Sequence, residues 1–168
     1  MANAAKVNEL AVVGGAGAVA AVEAAGLDLA SGKNINVTSI LTANNTWSGL
    51  TATFTAGQIF ALGDLVYLKN ADSRVWDADA DDPSTMPAIA LATSVTTAGN
   101  PFKFLLLGFM RFDTWNWTPG SLLYASITAG TMSHTAPIAS GDQVQTVGIA
   151  ITADIILFNP NYVLVELT

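Results

Sequence analysis

The densest group of chemically capable side chains is a set of four aspartates, Asp77, Asp79, Asp81 and Asp82. The alternating spacing of the first three is that of the first half of an EF-hand loop. The second half departs from the pattern, because Asp82 stands where glycine is needed and Ala88 where a bidentate glutamate is needed. Two interpretations follow, a weak cation site on the first three aspartates or a solvated acidic turn, and the pattern favours the turn.

Trp115 and Trp117 form a second candidate site, separated only by Asn116. In a strand, residues two apart lie on one face, so the two indoles would form a platform on which a sugar could stack. The same pair could instead cap the core or lie in a subunit interface, where tryptophan is enriched. We favour core or interface and keep the glycan contact as the alternative.

His134 is the only histidine, and the sequence has no cysteine. A serine–histidine–aspartate triad lacks its G-x-S-x-G elbow here, and a histidine within a Ser/Thr-rich loop is typical of an exposed, inert side chain. Disulfides and thiolate metal sites are excluded. A carboxylate-based polysaccharide hydrolase has no candidate pair beyond the aspartate group. We therefore predict that the chain is not an enzyme and has no catalytic residue, metal or cofactor.

The first 45 residues differ in composition from the rest and are rich in alanine and glycine. Gly15–Ala20 matches the dinucleotide fingerprint G-x-G-x-x-G/A, but no βαβ unit follows it. The apolar run that begins at Leu10 resembles a secretory signal, but Glu9 and several glycines interrupt it. We expect no signal peptide, and we interpret residues 1–45 as an arm that contacts a partner, extended or with a short helix near 19–25.

Charged residues make up only 11% of the 168-residue chain, whereas 51% are hydrophobic. A typical soluble domain has about 25% charged residues. The net charge of −7 argues against nucleic-acid binding, which needs a basic patch. The sequence has no 18-residue apolar stretch of the kind that predicts a membrane span. A surface so poor in charge is weakly protected against association, so we expect much of it to be covered by partners.

Residues 46–168 read as a β-domain. Short apolar runs such as 64–68, 103–112 and 154–158 alternate with Gly, Pro and Asn turns, and the runs at 144–152 and 154–158 are rich in β-branched residues. None shows sustained helical periodicity. Gly108 lies within the longest run and predicts a bulge or bend. We predict an all-β fold, a compact antiparallel barrel or sandwich.

The two halves of the β-domain are similar in sequence. Residues 63–69 align with 120–126, residues 88–93 with 147–152, and residues 102–106 more loosely with 162–166, at offsets of 57, 59 and 60. We interpret these blocks as a possible internal duplication over 57–110 and 114–168. The alternative is that β-meanders reuse similar turn and strand patterns without duplication.

The order of motifs carries a resemblance to a known family. In chain order, the motifs are G-D-L-V-Y-L at 63–68, W-D-A-D-A at 76–80, W-T-P-G-S-L-L-Y-A-S at 117–126, G-D-Q-V-Q-T-V-G-I-A at 141–150 and I-L-F-N-P at 156–160. This series resembles the β-domain of tailed-bacteriophage head fibre or capsid decoration (cement) proteins.

That resemblance implies a non-enzymatic virion protein on the capsid exterior, a homotrimer that binds the major capsid protein and stabilises the head. Residues 1–45 would then be the arm that contacts the capsid. The alternative is a tail- or head-fibre adhesion module that binds host surface glycans. The family pattern carries no catalytic residue, so none is transferred to this chain.

Overall fold

The fold is built almost entirely from strands. A computed structural model describes residues 36–168, and 41% of these residues lie in strands with no α-helix among them. The predicted all-β antiparallel fold is confirmed. The strands are β1 (Thr46–Thr55), β2 (Leu65–Lys69), β3 (Arg74–Asp77), β4 (Ala88–Ala92), β5 (Pro101–Arg111), β6 (Leu122–Ala125), β7 (Met132–Ser133), β8 (Gln143–Val144), β9 (Thr146–Ala150), β10 (Ile155–Phe158) and β11 (Val165–Glu166).

Several predictions for the N-terminal arm fall on residues outside the described range. These are the fingerprint at Gly15–Ala20, the short helix near 19–25 and most of the arm itself. Within residues 36–168, no helix is long and apolar enough to cross a membrane. The last residues of the predicted arm contact the β-domain, since Arg111 Nη1 donates to the carbonyl oxygen of Leu41 at 2.9 Å.

Nine strands form one antiparallel sheet that curls into a half-barrel. Eight of them follow the order β3-β2-β4-β5-β10-β9-β6-β7, and β1 pairs with β5 outside this path. The remaining strands, β8 and β11, form a separate two-stranded sheet. Backbone hydrogen bonds join the two ends of the strand order, from Gly130 N to Ala78 O and from Ala80 N to Ser126 O.

β5 is the central strand, and its length lets it pair with three others. β1 follows one edge of β5 from end to end, so β4 and β10 share the opposite edge, β4 near Leu105 and β10 from Gly108 onward. β5 has a bulge near the predicted position but not at Gly108, because the register shifts between Leu50 and Thr51 of β1, opposite Leu106, while Gly108 pairs in register with Gly49. Gly49 and Gly108 face each other across the pair so closely that a Cβ on Gly108 would lie 2.3 Å from the Ser48 carbonyl oxygen.

The strand order is symmetric about the β5–β10 pair. On one side β2 pairs with β3 and β4, and β4 with β5; on the other β6 pairs with β7 and β9, and β9 with β10. Even the bulges correspond, because the register shifts between Val66 and Tyr67 in β2 and between Leu123 and Tyr124 in β6. The sheet therefore consists of two units of similar topology, and the duplication itself stays a prediction.

One of the three aligned blocks is wrong. The strand that corresponds to β5 is β10, whereas Val165 and Glu166, which the sequence alignment matched to β5, lie in β11 outside the main sheet. Alternating apolar residues near the C-terminus fit a strand pattern, but only these two residues find a backbone partner in β8.

The hydrophobic core lies mainly inside the half-barrel. Both units contribute to it, with fully buried side chains such as Leu65, Leu105, Met110, Leu123 and Phe158. A second, smaller cluster covers the opposite face of the first unit, and Phe60 packs there edge-on against Phe104 at 5.7 Å between ring centroids. The first unit is therefore buried on both faces.

Candidate functional site

Trp115 and Trp117 line a groove of about 310 Å³, which we call the tryptophan groove. They do not lie in a strand, as the face-sharing prediction assumed, but in the loop between β5 and β6. That loop is fixed by backbone hydrogen bonds from Trp115 N to Phe112 O and from Trp117 N to Ala153 O. Both indoles are half-buried against the core.

Three aromatic rings along the tryptophan groove pack against one another at large interplanar angles. The Phe112 and Trp115 rings lie 5.7 Å apart at 82°, and the Trp115 and Trp117 rings 5.9 Å apart at 53°. Exposed His134 continues the row edge-on, with its ring 6.0 Å from that of Trp117. The indole N–H of Trp117 is buried without a hydrogen-bond acceptor among the described residues. The rings form a corner and not a flat platform.

Two carboxyl groups accompany these rings. Asp64 lines the groove, and its Oδ2 accepts a hydrogen bond from the Ala61 backbone N–H at 2.7 Å. Asp77 lies beside Gly130, another lining residue, where an added Cβ would be 2.8 Å from Asp77 Oδ1. The Gln58 amide donates to Asp77 Oδ2, while Oδ1 is buried without a partner in the described structure.

Both carboxyl groups have raised pKa values. Burial raises the pKa of Asp64, and its hydrogen bond to Ala61 offsets part of the rise. Burial also raises the pKa of Asp77, the hydrogen bond from Gln58 lowers it, and the negative charge of Asp64 raises it further. The folded state therefore holds protons on this pair more tightly than the unfolded chain does.

Replacing Asp77 by asparagine should make the protein more stable at neutral pH. Because the folded-state pKa is raised, the native carboxyl contributes stability at low pH that is lost as the pH rises through that pKa. Asp77→Asn should raise the free energy of unfolding at pH 7 by less than about 1 kcal/mol, since solvent screens a half-exposed group. At pH 3 the two proteins should unfold alike. Urea unfolding at both pH values measures this, and a variant that is less stable only at pH 7 would contradict it.

The predicted cation ligands Asp77, Asp79 and Asp81 are not brought together. The Asp77 carboxylate faces Gln58, and Asp79 Oδ1 accepts from the Asp81 backbone N–H at 3.5 Å. Asp82 caps a short 3-10 turn at Pro83–Thr85 by accepting from the Ser84 N–H, and this hydrogen bond lowers its pKa. No group of three metal-ligating side chains occurs in residues 36–168. Asp79 and Asp82 accept hydrogen bonds within the acidic turn, whereas Asp77 lies at the end of β3.

A second surface lies on the outside of the half-barrel. Apolar residues pair across four strands, Leu122 with Ile149, Ile149 with Leu157, and Leu157 with Phe109. The row continues into Leu107, which pairs with Leu50 of β1. We call this surface the outer apolar face, and its six residues are Leu50, Leu107, Phe109, Leu122, Ile149 and Leu157.

The outer apolar face carries no charge and is open to solvent. Leu50 is 61% exposed, Leu107 42% and Leu122 48%. On the outer side of the first unit, by contrast, Val66, Ala90 and Phe104 are fully buried in the second cluster, which contains Phe60. A contiguous apolar patch of this kind marks an interaction surface in soluble proteins.

Comparisons with protein-family models, with curated proteins and with solved structures find no match. The candidate site therefore rests on geometry alone. Sequence reasoning found Trp115 and Trp117 but missed Asp64 and the outer apolar face. The alignment of the two blocks could have pointed to Asp64, because the second block has the uncharged Ser121 at the matching position.

Proposed function

We propose that this chain is a non-enzymatic structural protein of a bacteriophage virion, a decoration (cement) protein that binds the outside of the head and stabilises it. Its partners are the major capsid protein and further copies of itself, in a homotrimer. The proposal is supported by the resemblance of residues 57–167 to decoration and head fibre proteins. The outer apolar face is the single observation that carries it further.

The outer apolar face suits permanent assembly. Removing its side chains from water stabilises an assembly by about 25 cal/mol per Å² of apolar area buried. The absence of charge means that no side chain of the face has to be desolvated at high cost when a neighbour covers it. In a chain of net charge −7, an uncharged contact also limits repulsion between identical copies.

The first unit shows how such a face is covered within one chain. Its outer side is buried by the second cluster, in which Phe60 packs against Phe104 and Val66 and Ala90 are fully buried. The outer apolar face has no such cover among residues 36–168, since Leu50, Leu107 and Leu122 stay exposed. Other copies and the capsid surface are the partners that the proposal assigns to it.

The proposal predicts that the purified chain binds isolated heads that lack it, to saturation, and that the heads then withstand more heat. Deleting residues 2–30 should reduce this binding at least ten-fold, because the arm is assigned to capsid contact. Co-sedimentation with heads measures the binding of the full-length chain and of the shortened chain. Undiminished binding of the shortened chain would contradict the arm assignment, and no binding by the full chain would contradict the function.

A further inference from the structure

We propose that the tryptophan groove is a binding site for an organic ammonium ion, held by the aromatic corner of Phe112, Trp115 and Trp117 and by the Asp64 carboxylate. This site is separate from capsid binding, and the proposal stands whether or not the chain decorates a head. The outer apolar face takes no part in it.

The ring geometry favours a compact cation. A positive charge is attracted to the face of an aromatic ring within about 6 Å of its centroid, and tryptophan gives the strongest attraction. Neighbouring rings set at 82° and 53° turn their faces in different directions around one corner. A methylated ammonium group can contact several such faces at once, whereas a sugar ring needs one broad flat face.

The charge around the groove also favours a cation. Asp64 lines the groove, and Asp77 lies close enough for the two charges to affect each other. Among residues 36–168 the one ion pair joins Arg111 to Asp113, so no described lysine or arginine neutralises either groove carboxylate. A bound ammonium ion would supply that missing positive charge.

The volume and lining fit a small ligand. The groove measures about 310 Å³, at the lower end of the range for small-molecule sites, and its other walls include the apolar Leu62 and Met132. Apolar walls lower the local dielectric constant, which strengthens the attraction between a carboxylate and an ammonium ion. The polar group that fixes the ligand is then Asp64, whose Oδ1 has no hydrogen-bond partner in the described residues.

The test uses the full-length protein and a matched pair of probes, choline and its neutral isostere 3,3-dimethyl-1-butanol. Titration followed by tryptophan fluorescence and calorimetry should show saturable choline binding. The neutral isostere should bind at least ten-fold more weakly, because it has the same shape without the charge. Asp64→Asn and Trp115→Ala should each weaken choline binding by about ten-fold.

Controls separate this result from loss of folding. Asp81→Asn removes an exposed aspartate outside the groove and should bind choline as the native chain does. Trp115→Phe keeps an aromatic ring and should retain part of the affinity if Trp115→Ala fails to fold. Phosphatidylcholine vesicles extend the test, since binding to them as well as to choline places the ammonium group on a lipid, and binding to choline alone places it on a soluble molecule.

Three results would overturn the proposal. They are equal binding of choline and the neutral isostere, unchanged choline binding by Asp64→Asn, and no binding of choline to the folded native chain. Tight binding of a neutral oligosaccharide with no response to choline would replace the ammonium site by a glycan site on the same tryptophans.

Discussion

Replacing Gln145 by leucine should lower the free energy of unfolding by about 3–5 kcal/mol, because several buried polar groups would lose their partners together. The Gln145 side chain is fully buried and lies between β8 and β9. Its Oε1 accepts from the Ala88 N–H at 2.8 Å, and its Nε2 donates to the carbonyl oxygens of Ala88 at 2.9 Å and Asn161 at 2.8 Å.

These three hydrogen bonds join the first unit, the second unit and the C-terminal segment. Leucine has a similar volume but no polar atoms, so the Ala88 N–H and carbonyl groups would lose these partners while buried, and the Asn161 carbonyl would lose a part-buried hydrogen bond. Since whole domains are stable by only about 5–15 kcal/mol, a loss of this size should appear as a large fall in the denaturant midpoint.

The matched control is Asn100→Ala, which removes one exposed side-chain hydrogen bond, to Thr97 Oγ1. We expect it to change stability by less than about 0.5 kcal/mol. Urea unfolding of the three proteins decides the matter. A Gln145→Leu variant that loses less than about 1 kcal/mol would show that the two units do not depend on this contact.

Placing aspartates at Leu107 and Leu122 together should abolish self-association and weaken binding to heads by at least a hundred-fold. Each charge would be buried without a partner in any assembly that covers the outer apolar face. Both side chains are already about half exposed in the single chain, at 42% and 48%. The fold of one chain should therefore tolerate the change.

Light scattering gives the oligomeric state, and co-sedimentation gives head binding. Val95→Asp is the control, since Val95 is 72% exposed in the loop between β4 and β5 and does not belong to the face. It should behave as the native chain. A double variant that still forms oligomers and still binds heads would remove the outer apolar face from the interface.

Much of the fold was predictable because its signals are local. Short apolar runs bounded by glycine, proline and asparagine turns predicted β2, β5 and β10 to within a few residues of their observed bounds. The run at 162–167 satisfies the same pattern, yet only Val165 and Glu166 lie in a strand, and Leu167 adds backbone hydrogen bonds to Gly141 and Asp142. Strand formation requires a partner edge, and a sequence pattern carries no information on which edges are already taken.

The site was less predictable because residues far apart in sequence build it. Trp115 and Trp117 stand out by type, whereas Asp64 joins them through the pairing of β2 and the turn at Gly130. The outer apolar face depends on the register of β5, β6, β9 and β10 together. The sequence does show that the chain has few charged residues for an isolated protein, and the outer apolar face is one surface without them.

The most direct test of the proposed function is to look for this chain in purified phage particles and to measure its copy number and position there. Quantitative mass spectrometry and electron cryomicroscopy together provide both. A decoration protein should be present in hundreds of copies, arranged over the outer surface of the head. A few copies at a single vertex or on the tail, or none in the particle, would contradict the account.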